Sequence, residues 1–140
     1  MSEEIRIGKH VLRFEREDML LMEFHGDILK GEMGAMYRLH DERLLAEGRI
    51  FVLADVREAT GMASTAKHEA RDRPKPLPPH VVAVVGAPYT LRVMIDLLAR
   101  ATKLLTGGAT TLRFFDTMAE ARVYLDECRR AWKPSSLRGA

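Results

Sequence analysis

Ser64 and Thr65 are the side chains with the clearest opening for chemistry. They follow an unbroken apolar run, Ile50-Phe51-Val52-Leu53-Ala54, which ends in Asp55 and gives way to a polar connection. Such a run reads as a strand buried on both faces, and open α/β sheets place their sites in the loops beyond the carboxyl ends of such strands. A helix starting at Ser64 presents unpaired amides and a positive dipole end, and both stabilise a phosphate. The same hydroxyl can equally serve as a plain helix cap; the two roles are compatible. Asp55 faces the same loop and either positions a ligand or organises the loop backbone. Asp55, Arg57, Ser64, Thr65 and Lys67 together form a candidate partner or ligand loop.

Other reactive side chains fall into no catalytic pattern. His10, His25, His40, His68 and His80 are scattered over strands, a helix and loops. No pair has ligand spacing such as H-x-x-x-H and no acid–His–Ser order is visible, so no metal site, catalytic residue or cofactor is expected. Cys128 is the only cysteine, which excludes an intrachain disulfide and a thiolate cluster. Gly107-Gly108 follows a helical pattern and precedes a strand, the reverse of a phosphate loop, and reads as a turn. Lys67, Arg71, Arg73 and Lys75 alternate with Glu69 and Asp72. They read as a solvated face beside Ser64, able to meet an acidic partner.

The elements that position these residues follow from periodicity. Leu12 and Phe14 alternate with Arg13 and Glu15 over His10 to Arg16, a strand with one wet face. Glu17-Asp18 turns the chain into a second strand, Met19 to Phe24, necessarily antiparallel to the first. Apolar residues at helical spacing run from about Leu29 to Glu47, with Gly48 at the C-terminal stop. The strand Ile50–Ala54 comes next, then a short helix over Ser64 to Asp72, ended by Pro74, Pro76, Pro78 and Pro79. Val81–Val85 is a further buried strand. A helix from Pro88, in its first turn, to Leu105 follows. Thr111–Phe115 is the last strand. Thr117 and Glu120 then stand in capping-box spacing at the head of a final helix whose core stripe is Met118, Ala121, Leu125, Cys128 and Trp132.

The order β-β-α-β-α-β-α-β-α implies an α/β fold with a mixed, mostly parallel five-stranded sheet and four helices. Residues 1–132 are expected to form a single domain, and 133–140 a flexible tail. At 46% hydrophobic and 30% charged residues, the composition is that of a folded globular chain. The formal net charge of +2, with basic residues interleaved with acids, excludes a dedicated nucleic-acid stripe. No apolar window is long enough for a membrane span, and the leading MSEEIRIGKH lacks a signal-peptide core. A cytoplasmic protein is the expectation.

The element order and several local motifs resemble the STAS-like superfamily, whose members include bacterial anti-sigma-factor antagonists of the SpoIIAA type and, more distantly, CRAL-TRIO lipid carriers. In the antagonists a buried strand ends in Asp, and an Asp-Ser pair opens the next helix, its Ser being the kinase target. Ile50 to Asp55 matches that strand and Ser64 that Ser; Ala63 replaces the preceding Asp, and Thr65-Ala66 stand for the small residues that follow. Gly86 after its strand, Phe114-Phe115-Asp116-Thr117, Glu120-Ala121 and Tyr124-Leu125 look closer to the uncharacterised bacterial STAS-like branch. The resemblance covers about Ile5 to Arg130. It implies a SpoIIAA-like fold and a non-enzymatic regulatory domain acting through protein–protein interaction, with Ser64 as phosphorylation candidate and an anti-sigma or kinase-type regulator as partner.

The helix over Pro88–Leu105 supplies the alternative. Arg92, Asp96, Arg100 and Lys103 confine themselves to a narrow polar strip, and Leu91, Met94, Ile95, Leu98, Ala101 and Leu105 fill a core face. Val93, Leu97 and Leu104 widen the apolar arc beyond what one sheet covers. Such an arc marks a homodimer interface, a partner groove or the wall of a lipid pocket, unless the last helix and Trp132 cover it. The lipid-pocket case, joined to the CRAL-TRIO likeness, makes a small apolar-ligand or lipid carrier the rival function.

Overall fold

A computed structural model describes residues 3–66, 68–107 and 110–133. Six strands form one sheet in sequential order: β1 (Glu4–Ile7), β2 (His10–Arg16), β3 (Met19–Ile28), β4 (Phe51–Met62), β5 (His80–Val85) and β6 (Thr110–Phe115). β1, β2 and β3 pair antiparallel, whereas β3 through β6 run parallel. Three helices accompany them: α1 (Glu32–Glu47), α2 (Tyr89–Thr106) and α3 (Met118–Ala131). A five-residue 3₁₀ turn, His68–Asp72, stands between β4 and β5. The mixed α/β architecture is the expected one, with one strand more and one full helix fewer.

Two-residue alternation along the strands divides the core into two layers. Leu20, Met22, Phe24, Val52, Ala54, Val56 and Val84 face α1 and α2. Met19, Leu21, Phe51, Leu53, Val81, Ala83 and Val85 face Ala121 and Leu125 of α3, with Met118, Cys128 and Trp132 packed beside them as expected. The parallel strands step in one direction across the sheet, so crossovers of a single hand put α1, the 3₁₀ turn and α2 on one side. Bidentate Arg122–Glu15 bonds of 2.8 and 2.9 Å, together with Arg129 on the buried Asp18, tie α3 to the antiparallel end of the sheet.

The helix stops fall where the sequence puts them. Gly48 (φ 80°) and Gly107 (φ 66°) adopt the left-handed conformation and donate back to Leu44 O and Lys103 O. Thr117 accepts from the Glu120 amide at 3.2 Å. Pro88, expected inside the first turn, is the N-cap of α2. Leu29 precedes α1, which starts at Glu32 because Gly31 turns the chain at φ 85°.

Three expectations need correction. β1 was not anticipated: a four-residue strand with exposed Glu4 and Arg6 shows too little periodicity. β3 and β4 both outrun their expected ends and pair with each other as far as Ile28–Met62, with two register shifts on the way. β5 stops at Val85 opposite Asp55, so the extension is a two-stranded ribbon on which Arg57, Glu58 and Thr60 stand exposed. Its polar residues read as a loop for that reason. Finally, no helix starts at Ser64. Ser64 to Ala66 form a turn, closed by Ala66 N donating to Ala63 O at 3.0 Å. Lys67, Gly108 and the tail beyond Lys133 lie outside the described residues. Among the described residues, no helix is long and apolar enough to cross a membrane.

Candidate ligand cavity

The residues singled out after β4 do not form one loop. Asp55 and Arg57 lie within β4 itself. The Asp55 carboxylate accepts from Arg57 N, Nε and Nη2 at 3.1, 2.9 and 2.7 Å, and this guanidinium beside it holds the carboxyl below its usual range. Asp55 is therefore engaged by Arg57 of its own strand. Thr65 donates from Oγ1 to Glu69 Oε2 at 3.0 Å. Glu69 in turn accepts from the Gly31 and Gly34 amides, at 2.9 and 2.7 Å, and so caps α1. Ser64 is exposed at the turn. The anion site expected at a helix start near Ser64 is thus replaced by the start of α1, already filled by Glu69.

A cavity of about 140 Å³ lies instead between α1, α2 and the sheet. Its walls are Met22, Phe24, Val52, Ala54, Val84 and Leu112 from the strands, Met33 and Met36 from α1, and Leu91, Ile95 and Leu98 from α2. The cause is local. β4 contributes the small Ala54 and Ala59 to the lining, and α2 the small Ala99. Between β4 and β5, five residues of 3₁₀ turn stand where the sequence predicted a helix. Ile95 and Leu98 consequently remain half-buried although they face the core. Val93, Leu97 and Leu104 are not among the lining residues; they are exposed, Leu97 by 60% and Leu104 by 88%. Of the roles expected of those three residues (interface, partner groove or pocket wall), the wall of this cavity is formed by a different face of the helix.

One end of the cavity is polar. Tyr37, His40, Arg73, His80, Thr102 and Thr110 converge there from α1, the segment after the 3₁₀ turn, the start of β5, α2 and the start of β6. Arg73 donates from Nε and Nη2 to the Asp41 carboxylate at 2.8 and 2.7 Å, both residues being buried. Its guanidinium lies 4.1 Å from the Tyr37 ring centroid. Burial raises the Asp41 pKa, but hydrogen bonds from Arg73 and His40 outweigh it and hold the carboxyl below its ordinary value. His40 contacts Asp41 Oδ1 through Nδ1 at 2.8 Å. Because the acceptor is a carboxylate, Nδ1 carries the proton. Burial nonetheless pushes His40 down, so the ring is neutral at pH 7. The His80 ring packs edge-on against it, centroids 4.9 Å apart. His80 Nδ1 donates to Pro78 O, and Thr110 Oγ1 donates to Nε2, both at 2.9 Å. Burial, with His40 beside it, pushes His80 down to about 3. Tyr37 is raised by burial and bonds Thr102.

This cluster sits at the amino ends of β5 and β6, opposite to the carboxyl-end placement expected from the sequence. It uses two of the five scattered histidines, and it uses Arg73, which was read as part of a solvated basic face. The only local signal was His40-Asp41 on the apolar side of α1. Nothing in the sequence pointed to Arg73, since its partner is thirty-two positions away. Among the described residues, no three His, Cys, Asp or Glu side chains are grouped to hold a metal ion.

No protein-family model matches the chain, and no curated protein matches it. Two solved structures are similar in fold. One is an uncharacterized protein of the DUF3478 family with a SpoIIAA-like fold from Shewanella loihica PV-4. It is 16% identical, covers 89% of this chain and 92% of its own, and has a TM-score of 0.44. The other is the anti-sigma factor antagonist SpoIIAA in its unphosphorylated form, 10% identical over 84% of this chain and 96% of its own, with a TM-score of 0.50. With one mixed sheet, α1 and α2 on one side and α3 on the other, the chain has the SpoIIAA-like fold.

Proposed function

We propose that this protein works by binding rather than by catalysis, and that it takes up a small apolar molecule in the cavity under α2. The observation that carries this reading is the cavity itself: about 140 Å³, walled by aliphatic and methionine side chains. An apolar space of about 150 Å³ stays dry and accepts a molecule the size of benzene. The half-buried Ile95 and Leu98 on α2 leave the helix free to admit it. The test is titration with toluene, followed by methyl NMR and thermal unfolding. Shifts confined to Val84, Ile95 and Leu98, with a melting temperature that rises with ligand concentration, are expected. Unmoved methyls and an unmoved melting temperature at saturating toluene would sink the reading.

A second reading rests on the exposed apolar face of α2. Tyr89, Val93, Leu97 and Leu104 all stand in solvent, and a stripe of this kind suits protein contact, here with a second copy of the chain. The regulatory role of an anti-sigma or kinase-type partner belongs to the same reading, as does a cytoplasmic location. A phosphate on exposed Ser64 would place negative charge one residue from the Thr65–Glu69 bond, and repulsion would loosen the cap on α1. Sedimentation of the wild type and of Leu97→Asp separates the cases. A dimer that the substitution dissociates supports self-association through α2, and a wild-type monomer excludes it.

A further inference from the structure

The polar end of the cavity leaves the His40 ring with an open acceptor. His80 is satisfied at both ring nitrogens, by Pro78 O and by Thr110 Oγ1. Tyr37 bonds Thr102. Arg73 gives Nε and Nη2 to Asp41, and His40 gives Nδ1 to the same carboxylate. His40 Nε2 has no hydrogen bond among the described residues, although the residue is only 6% exposed and lines the cavity. With the proton on Nδ1, that nitrogen is a bare acceptor facing an apolar space. An acceptor on the wall of an apolar space gains a hydrogen bond from a ligand that brings the donor.

The charges around it restrict the donor. Arg73 and Asp41 neutralise each other at 2.7 Å, and the two histidines are neutral rings. A carboxylate ligand finds no unbalanced cation here, because the guanidinium charge is already committed to Asp41. An ammonium ligand finds no free anion, because Asp41 is. Either would be a buried charge without compensation. The volume admits about one ring.

We infer that the cavity is built for a neutral, monocyclic-sized alcohol or phenol, whose hydroxyl donates to His40 Nε2 while its apolar body lies against Val84, Ile95 and Leu98. This inference rests on the ligand-binding reading above and adds the ligand's chemical class.

Three probes of one size test it by calorimetric titration of the full chain: phenol, toluene and benzoate. Phenol is expected to bind about tenfold more tightly than toluene, the effect of one added hydrogen bond in a low-dielectric site. Benzoate is expected to bind most weakly. In ¹⁵N-detected NMR, His40 Nε2 should shift on adding phenol and stay in place with toluene. His40→Phe keeps the ring and should bring phenol down to the affinity of toluene. Equal affinities for phenol and toluene, or an unmoved Nε2, overturn the hydroxyl assignment while leaving the cavity reading intact. Benzoate binding as tightly as phenol also overturns it. If none of the three binds, the cavity reading fails and this inference fails with it.

Discussion

Asp41 and Arg73 form a bidentate pair with side chains only 5% and 6% exposed. Removing either partner leaves the other as an uncompensated buried charge. Arg73→Met and Asp41→Asn are each expected to cost roughly 3–5 kcal/mol in urea unfolding, and the double variant less than the sum, because neither charge then remains. The neighbouring histidines set the response to acid. His80 has an ordinary value of 6.5 and stays neutral in the fold down to about 3; His40 is shifted in the same direction. The unfolded chain therefore takes up these protons first. Their contribution to stability is complete above about pH 6.5 and is lost as pH falls from there toward the folded values. His80 should cost about 1.4 kcal/mol per pH unit below that point, and His40 adds a loss of the same sign. Denaturant titrations at pH 7, 6 and 5 should show the decline, and His80→Asn should make it shallower. A flat profile over that range would mean that both rings keep their ordinary values.

Element by element, local punctuation explains what the chain disclosed and what it hid. Gly48, Gly107 and the Thr117–Glu120 pair are short-range devices, legible in the sequence and present in the fold. The start of α1 was not legible, because its cap comes from elsewhere: Gly31 supplies no side chain, and Glu69 reaches across thirty-five residues to the Gly34 amide. The ribbon of β3 and β4 was hidden for a related reason, since strand residues with only one paired neighbour tolerate Arg57, Glu58 and Thr60. Apart from His40-Asp41 on α1, the cavity's polar end was hidden, being assembled from α1, α2, β5, β6 and Arg73 with no shared motif. The borrowed cap gives an element-scale prediction. Glu69→Ala is expected to destabilise the protein by about 1 kcal/mol and to speed hydrogen exchange at Gly34, whereas Glu69→Gln, still an acceptor, should recover part of both. Unchanged exchange at Gly34 would show that the cap contributes nothing.

Across the whole molecule, the coverage of the sheet is uneven, and the cavity follows from it. α3 packs on Phe51, Leu53 and Ala83, which are fully buried on that side. The other side has α1, α2 and only a five-residue turn between β4 and β5. An apolar opening of about 140 Å³ leaves its lining short of packing partners, a cost in stability of the kind that function retains. Filling the space should therefore separate stability from binding. Ala99→Leu, projecting from α2 into the cavity, is expected to raise stability by about 1 kcal/mol and to abolish the toluene response. The measurement is a pair of unfolding curves with and without toluene. A variant that gains stability and loses the ligand shift makes the cavity a binding site kept open at a cost. One that loses stability shows that α2 already sits too close to the sheet for a ligand to enter.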